Sequence, residues 1–168
     1  MRKDAFDEIL DQWSEERPEL DTAALGVVIR VMALYRRFSR QATRALEPLG
    51  LELWEYDVLS ALRRQGTPYA LPAMGLARET DLSSGAMTNR IDRLEKRGFV
   101  QREADEHDRR SVIVVLTPDG RKAIDEAIAF RLEAARESLE ALTANQRKEL
   151  ARLLRQVVLA EEGDAGPT

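Results

Sequence analysis

Apolar residues recur at three- and four-residue intervals along most of this chain, and that spacing predicts a mainly helical protein. From Asp4 to Glu16, the residues Phe6, Ile9, Leu10 and Trp13 share one side of a short amphipathic helix that Pro18 closes. A longer helix runs from about Thr22 to Glu47 with Leu25, Val28, Ile29, Met32, Tyr35, Phe38, Ala42 and Leu46 on its apolar side, and Pro48 with Gly50 ends it. Glu52 to Arg64 repeats the pattern with Trp54, Val58, Leu59 and Leu62 until Gln65-Gly66-Thr67-Pro68 interrupts it. Pro72 to Glu79 then reads as a short helix and Thr80 to Ser83 as a turn.

Beyond that turn the period changes. Ser83 or Ser84 can cap a helix reaching Arg97, because a side-chain oxygen there accepts from the free amides of the first turn. Its buried stripe is Met87, Ile91 and Leu94, and Gly98 stops it. Phe99 to Ala104 and Ser111 to Thr117 form a two-stranded hairpin in which Val112, Val114 and Leu116 alternate inward, with Asp105-Glu106-His107-Asp108-Arg109-Arg110 at the tip. A helix running straight into such a hairpin is the sequence form of a winged helix-turn-helix, a DNA-binding architecture. Thr117 and Pro118 start another helix bearing Ile124, Ile128, Leu132, Leu139 and Leu142, and after Thr143-Ala144-Asn145 a last helix carries Leu150, Leu153, Leu154, Val157 and Val158. The expected organisation is N-terminal helices over 1–50, a winged helix-turn-helix over 51–117, C-terminal helices over 118–160 and a disordered tail over 161–168. The fold class is mainly α with a small β-hairpin wing.

Composition narrows the function. With 43% apolar and 33% charged residues in 168, the chain suits a globular protein. Charged residues stand where a signal peptide would carry its apolar run, and no stretch approaches the roughly 18 uncharged apolar residues of a membrane span, so a cytoplasmic protein without a membrane partner is expected. The absence of cysteine excludes disulfides, thiolate nucleophiles and thiol redox sensing. No phosphate-cradling glycine loop, nucleophile elbow or metal-binding histidine pair is present, so neither an enzyme nor a bound cofactor is expected. A net charge of −4 looks wrong for a DNA binder, but from Ser83 to Arg102 five cations (Arg90, Arg93, Lys96, Arg97 and Arg102) face only Asp92 and Glu95. The acidic excess then belongs on surfaces turned away from phosphate.

At about 100° per residue the face opposite Met87, Ile91 and Leu94 shows Gly85, Asn89, Asp92, Arg93 and Lys96, with Ser84 and Thr88 beside it. This face is offered to a major groove. Arg93 and Asn89 have the donor geometry for guanine and adenine edges, while Ser84, Thr88 and Lys96 suit phosphates. The carboxylates and His107 around the hairpin tip could be read as a metal cluster, but an exposed acidic loop is the simpler reading.

The element order, together with Asp108-x-Arg110-Ser111, the strand VIVVL ending at Leu116, and Thr117-x-x-Gly120, resembles the MarR family of bacterial repressors from about residue 22 to residue 160. The resemblance implies a homodimer whose N- and C-terminal helices interdigitate, binding double-stranded DNA at a near-palindromic operator with half-sites about 34–36 Å apart. It implies that Arg110, with Arg109 beside it, enters the minor groove and that Asp108 orients the Arg110 guanidinium. The extra first helix with Trp13, Asp57 in WEYDVL, Arg90 in TNRIDRL and Arg102 in VQRE resemble the urate-responsive, PecS-like branch of that family. There the tryptophan and Arg90 contact an anionic purine, Asp57 is repelled by it, and Arg102 supports the charge network. Arg90 lies about 60° from Met87, so it flanks the buried face and can link a pocket to the DNA-reading helix. Two plainer alternatives stay open: Trp13 packs the first helix onto the body, and Asp57 forms a structural ion pair with Arg90 or Arg102. Urate is the leading effector and another small anion, such as a carboxylic acid, the runner-up; an effector-independent regulator or activator on the same scaffold is the competing function.

Overall fold

The computed structural model describes residues 3–105, 108 and 111–164. Seven helices and three short strands follow one another as α1 (Ala5–Glu16), α2 (Ala23–Leu46), a single 3₁₀ turn (Glu47–Leu49), α3 (Leu53–Arg64), β1 (Ala70–Pro72), α4 (Ala73–Glu79), α5 (Ser84–Lys96), β2 (Val100–Ala104), β3 (Val112–Leu116), α6 (Pro118–Ser138) and α7 (Ala144–Asp164). Local chemistry sets the boundaries. Asp4 and Asp7 cap the start of α1 reciprocally, and Glu52 and Glu55 do the same for α3. Ser83, not Ser84, caps α5 by accepting from the Ala86 amide. At the far end of α5 the chain turns through Gly98 at φ +73°, a conformation that glycine adopts without a Cβ penalty.

One core holds the winged module together. Leu46 of α2, Val58, Leu59 and Leu62 of α3, Leu76 of α4, Met87, Ile91 and Leu94 of α5, Val114 of β3 and Ile124 of α6 are buried against one another. The predicted stripe of α5 is therefore its buried face. β2 and β3 pair antiparallel with Val100 opposite Leu116 and Ala104 opposite Val112, as the hairpin pattern requires.

The sheet is larger than the predicted two-stranded hairpin. β1 adds a third antiparallel strand on the other side of β3, with Leu71 opposite Val114, and Pro72 belongs to this strand instead of opening α4. Three residues are too few to display a two-residue period, and Pro72, lacking an N–H, fits the end of an edge strand.

The wing is seated on α6 by a knot of short contacts. The Thr117 side chain accepts from the Gly120 amide (3.0 Å) and donates to the Gly98 carbonyl (2.6 Å), and the Phe99 carbonyl accepts from the Thr117 amide (3.1 Å). A Cβ on residue 120 would meet that Phe99 oxygen at 1.9 Å, so only glycine lets the helix approach this closely.

The long helices are less covered than their patterns suggest. α1 lies on α2, with Leu10 against Gly26 and Arg30 bonded to Asp4 and Asp7. Val28, Met32 and Tyr35 of α2, and Ile128 and Leu132 of α6, are nevertheless exposed. The two helices bury mainly small residues against the body, Gly26, Ala33 and Ala42 on α2 and Ala127 and Ala134 on α6. No residue of α7 is buried among those described. This helix also continues through Asp164, so residues 161–164 are helical where a disordered tail was expected; residues 165–168 lie outside the described part.

Candidate nucleic-acid interface

α5 presents one open face and two flanks that are held. Ser84, Gly85, Thr88, Asn89 and Lys96 are exposed on the open face, with the Thr88 hydroxyl donating to the Ser84 carbonyl (3.0 Å). Nothing in the chain lies within 4 Å of where a Gly85 Cβ would be. The helix can therefore be approached closely from outside at its first turn.

The first flank faces the start of α3. The Arg93 guanidinium stands 4.5 Å from the Trp54 ring centre and hydrogen-bonds Glu52, while Arg90 lies 5.3 Å from the same ring. Bonding by the Trp54 indole N–H, ahead of that by Arg93, holds the Glu52 carboxyl below its ordinary range against the opposing effect of burial. One turn on, Arg97 stacks over Phe99 and bonds to Glu55, whose side chain is only 1% exposed. Arg93, expected to point freely at base edges, is thus held by its own chain. The other flank carries the opposite polarity: Asp92 and Glu95 both bind Arg102 of β2, and Glu95 also accepts from the Arg102 amide (3.3 Å). Two charge clamps, one to α3 and one to the wing, fix the rotation of α5.

The cationic excess counted in the sequence is consequently spent largely inside the protein. Arg93, Arg97 and Arg102 are paired, and Glu52 and Glu55 stand against α5 instead of on surfaces turned away from it. Sequence periodicity gave no sign of this, because the partners lie 41 and 42 residues apart. Glu52 and Glu55 were detectable only as a capping pair at the head of α3.

Beside the first flank lies a cleft of about 720 Å³, walled by Thr43, Glu47, Glu52, Trp54, Asp57 and Arg90 among others. Two of the four proposed ligand residues, Asp57 and Arg90, meet here. Trp13 and Arg102 are not among its lining residues: Trp13 is 47% exposed on α1, and Arg102 serves the wing clamp. The aromatic side chain beside Arg90 and Asp57 is Trp54. Asp57 also borders a second cavity of about 330 Å³ between α2 and α6, lined by Tyr35, Phe38 and Arg131, whose Nε is buried with no hydrogen-bond partner. Although Asp57 is reachable by solvent, its concave surroundings push the carboxyl above its ordinary value, against the opposing fields of Arg131, Arg90 and Arg64.

At the wing tip, Ser111 donates its amide to the Asp108 carbonyl (2.8 Å). Arg109 and Arg110, with Glu106 and His107, lie outside the described residues, and so does the proposed contact of Asp108 with Arg110. Among the described residues no group of acidic, histidine or cysteine side chains could hold a metal ion, and no helix is long and apolar enough to cross a membrane.

Comparison with known proteins bears on this geometry. Residues 49–111 match the model of the MarR family. The chain is 31% identical over 150 residues to the HTH-type transcriptional regulator PecS of Dickeya dadantii (strain 3937), covering 89% of this chain and 90% of that one. Its fold superimposes on a mutant MarR from E. coli complexed with operator DNA with a TM-score of 0.70, at 25% identity, covering 86% of this chain and 96% of that one. It superimposes likewise on Bordetella bronchiseptica BpsR, whose DNA binding is regulated by 6-hydroxynicotinic acid, with a TM-score of 0.69, at 27% identity, covering 79% and 98%.

Proposed function

Since the chain belongs to the MarR family of transcriptional regulators, we propose that it is a homodimeric, non-enzymatic repressor released from a near-palindromic operator by a small anionic ligand. Ser84, Gly85, Thr88, Asn89 and Lys96 form the surface that enters the major groove, Arg93 joins them from its seat on Trp54, and Arg109 and Arg110 of the wing reach the minor groove with Asp108 in support. The observation that supports the reading is the cleft shared by Asp57, Trp54 and Arg90, because it sets a space bordered by Arg90 directly against the flank of α5. An anion entering there is drawn to Arg90, repelled by Asp57, Glu47 and Glu52, and able to disturb the stacking of Arg90 and Arg93 on Trp54. A ligand shifts such an equilibrium only by its differential affinity, and a coupling of about 1–3 kcal/mol weakens DNA binding up to about a hundredfold.

Homodimerisation is supported by the uncovered apolar residues of α2, α6 and α7. An isolated helix such as α7, with Leu153, Leu154, Val157 and Val158 exposed, is marginal in water until another surface covers it.

Urate is the leading effector; a small aromatic acid is the second reading, favoured by the 6-hydroxynicotinic acid response of BpsR. Fluorescence anisotropy of the protein on duplex DNA from upstream of its own gene, near 150 mM salt, decides between them. Release by urate supports the first and release by 6-hydroxynicotinate the second; tight binding indifferent to both leaves an effector-independent regulator, and no specific binding removes the repressor reading. In the same assay Trp13→Phe separates ligand contact from packing: a weaker urate response at unchanged stability keeps Trp13 in ligand contact, and an unchanged response removes it.

A further inference from the structure

Four arginines on α2 differ from most arginines of the winged module. Arg36, Arg37, Arg40 and Arg44 are exposed, and none of their side chains makes a hydrogen bond or ion pair with a described residue. Arg63, Arg64, Arg93, Arg97 and Arg102, by contrast, are each paired with a carboxylate. At about 100° per residue Arg36, Arg40 and Arg44 form one row, with Arg37 at its margin. The buried Ala42 and Leu46, and the exposed apolar Val28, Val31 and Tyr35, project from the opposite side of the helix. The exposed Met32 stands one turn before Arg36, so the row begins where the apolar face that a second subunit would cover ends.

Its position and charge point to one occupant. Like charges four residues apart repel along a helix, so the row is unfavourable until an anion lies against it. On the helix surface its Arg44 end adjoins Thr43 and Glu47, which line one cleft with Arg90 of α5, so that end of the row stands nearest the helix offered to the major groove. The open face of α5 retains a single cation, Lys96, which leaves a protein of net charge −4 short of phosphate contacts from that helix. Arginine also supplies the planar, multiply donating head that suits phosphate oxygens.

We propose that Arg36, Arg40 and Arg44, with Arg37 beside them, bind backbone phosphates of the DNA next to the half-site read by α5. The inference rests on the repressor reading above. Each phosphate contact contributes about 0.9 to the slope of log affinity against log salt concentration.

The test is a salt series, roughly 50–300 mM, on operator duplex with the unaltered chain, R36Q/R40Q/R44Q and R36K/R40K/R44K. The glutamine variant is expected to bind at least tenfold more weakly near 100 mM, with a slope shallower by about 5, from three contacts in each of two subunits, while its thermal midpoint is not lowered and its oligomeric state stays unchanged. The lysine variant is expected to keep the slope, which separates charge from structure. A glutamine variant with the slope and affinity of the unaltered chain overturns this inference alone and turns the row toward an acidic protein surface. A lysine variant that loses the slope together with the glutamine variant also overturns it. Failure of the unaltered chain to bind the duplex at any salt overturns the repressor reading and this inference together.

Discussion

Opposed influences meet at Asp57: burial favours its neutral form, while Arg131, Arg90 and Arg64 favour the anion. Burial prevails and the folded pKa is raised, so between the unfolded and the folded value the native state binds more protons than the unfolded state. Stability contributed here is fully present below the ordinary value of 3.8 and declines as pH rises from there through the raised folded value. Asp57→Asn is therefore expected to raise the thermal midpoint at pH 7, with the difference vanishing below about pH 3.8; a lower midpoint at pH 7 would show that ion pairing outweighs burial. Glu55 is the contrasting carboxylate, fully buried but bonded to Arg97. Arg97→Met is expected to destabilise by about 3 kcal/mol in urea unfolding, because it strands a buried charge, and adding Glu55→Gln to recover much of that loss. Of these residues the sequence made Asp57 and Arg90 visible through a family pattern. Arg97, Glu52 and Glu55 were not legible as partners, since nothing in local periodicity records contacts between α3 and α5.

At the scale of the element, α5 was legible in its cap, its buried stripe and its stop, because each depends on residues within a turn of one another. Its flanks were not, because they are defined by α3 and β2. β1 escaped notice for a related reason: its identity as a strand lies in pairing with β3, 43 residues on from Leu71. Gly85 supplies a test of the open face. It sits in the first turn of a helix at ordinary φ, with space around it for a Cβ, so the fold itself does not demand glycine. Gly85→Ala is expected to raise stability by about 0.5–1 kcal/mol and yet weaken operator binding, since a methyl group would stand where the DNA approaches. Stability and affinity rising together would show that the DNA keeps its distance from this turn.

For the whole molecule, the order of helices and the wing followed from pattern and spacing, whereas the uneven cover of α2, α6 and α7 appeared only in three dimensions. A sequence shows that a helix has an apolar side but not whether its own chain covers it. Leu154→Glu on α7 is expected to shift sedimentation from dimer toward monomer and to lower the thermal midpoint in a concentration-dependent way. A variant that sediments and melts like the unaltered chain would place the subunit contact elsewhere. The thermal midpoint of the unaltered chain should itself fall on dilution.

The knot at Gly98, Phe99, Thr117 and Gly120 makes α6 a lever. With 21 residues at about 1.5 Å each, the helix reaches about 31 Å from this fulcrum. A sideways displacement of 1 Å at its far end therefore arrives at the base of the wing as a turn of about 2°. Small slippage at that far end is geared down into fine angular adjustment of the hairpin, and a displaced hairpin is geared up into larger travel at the distant end.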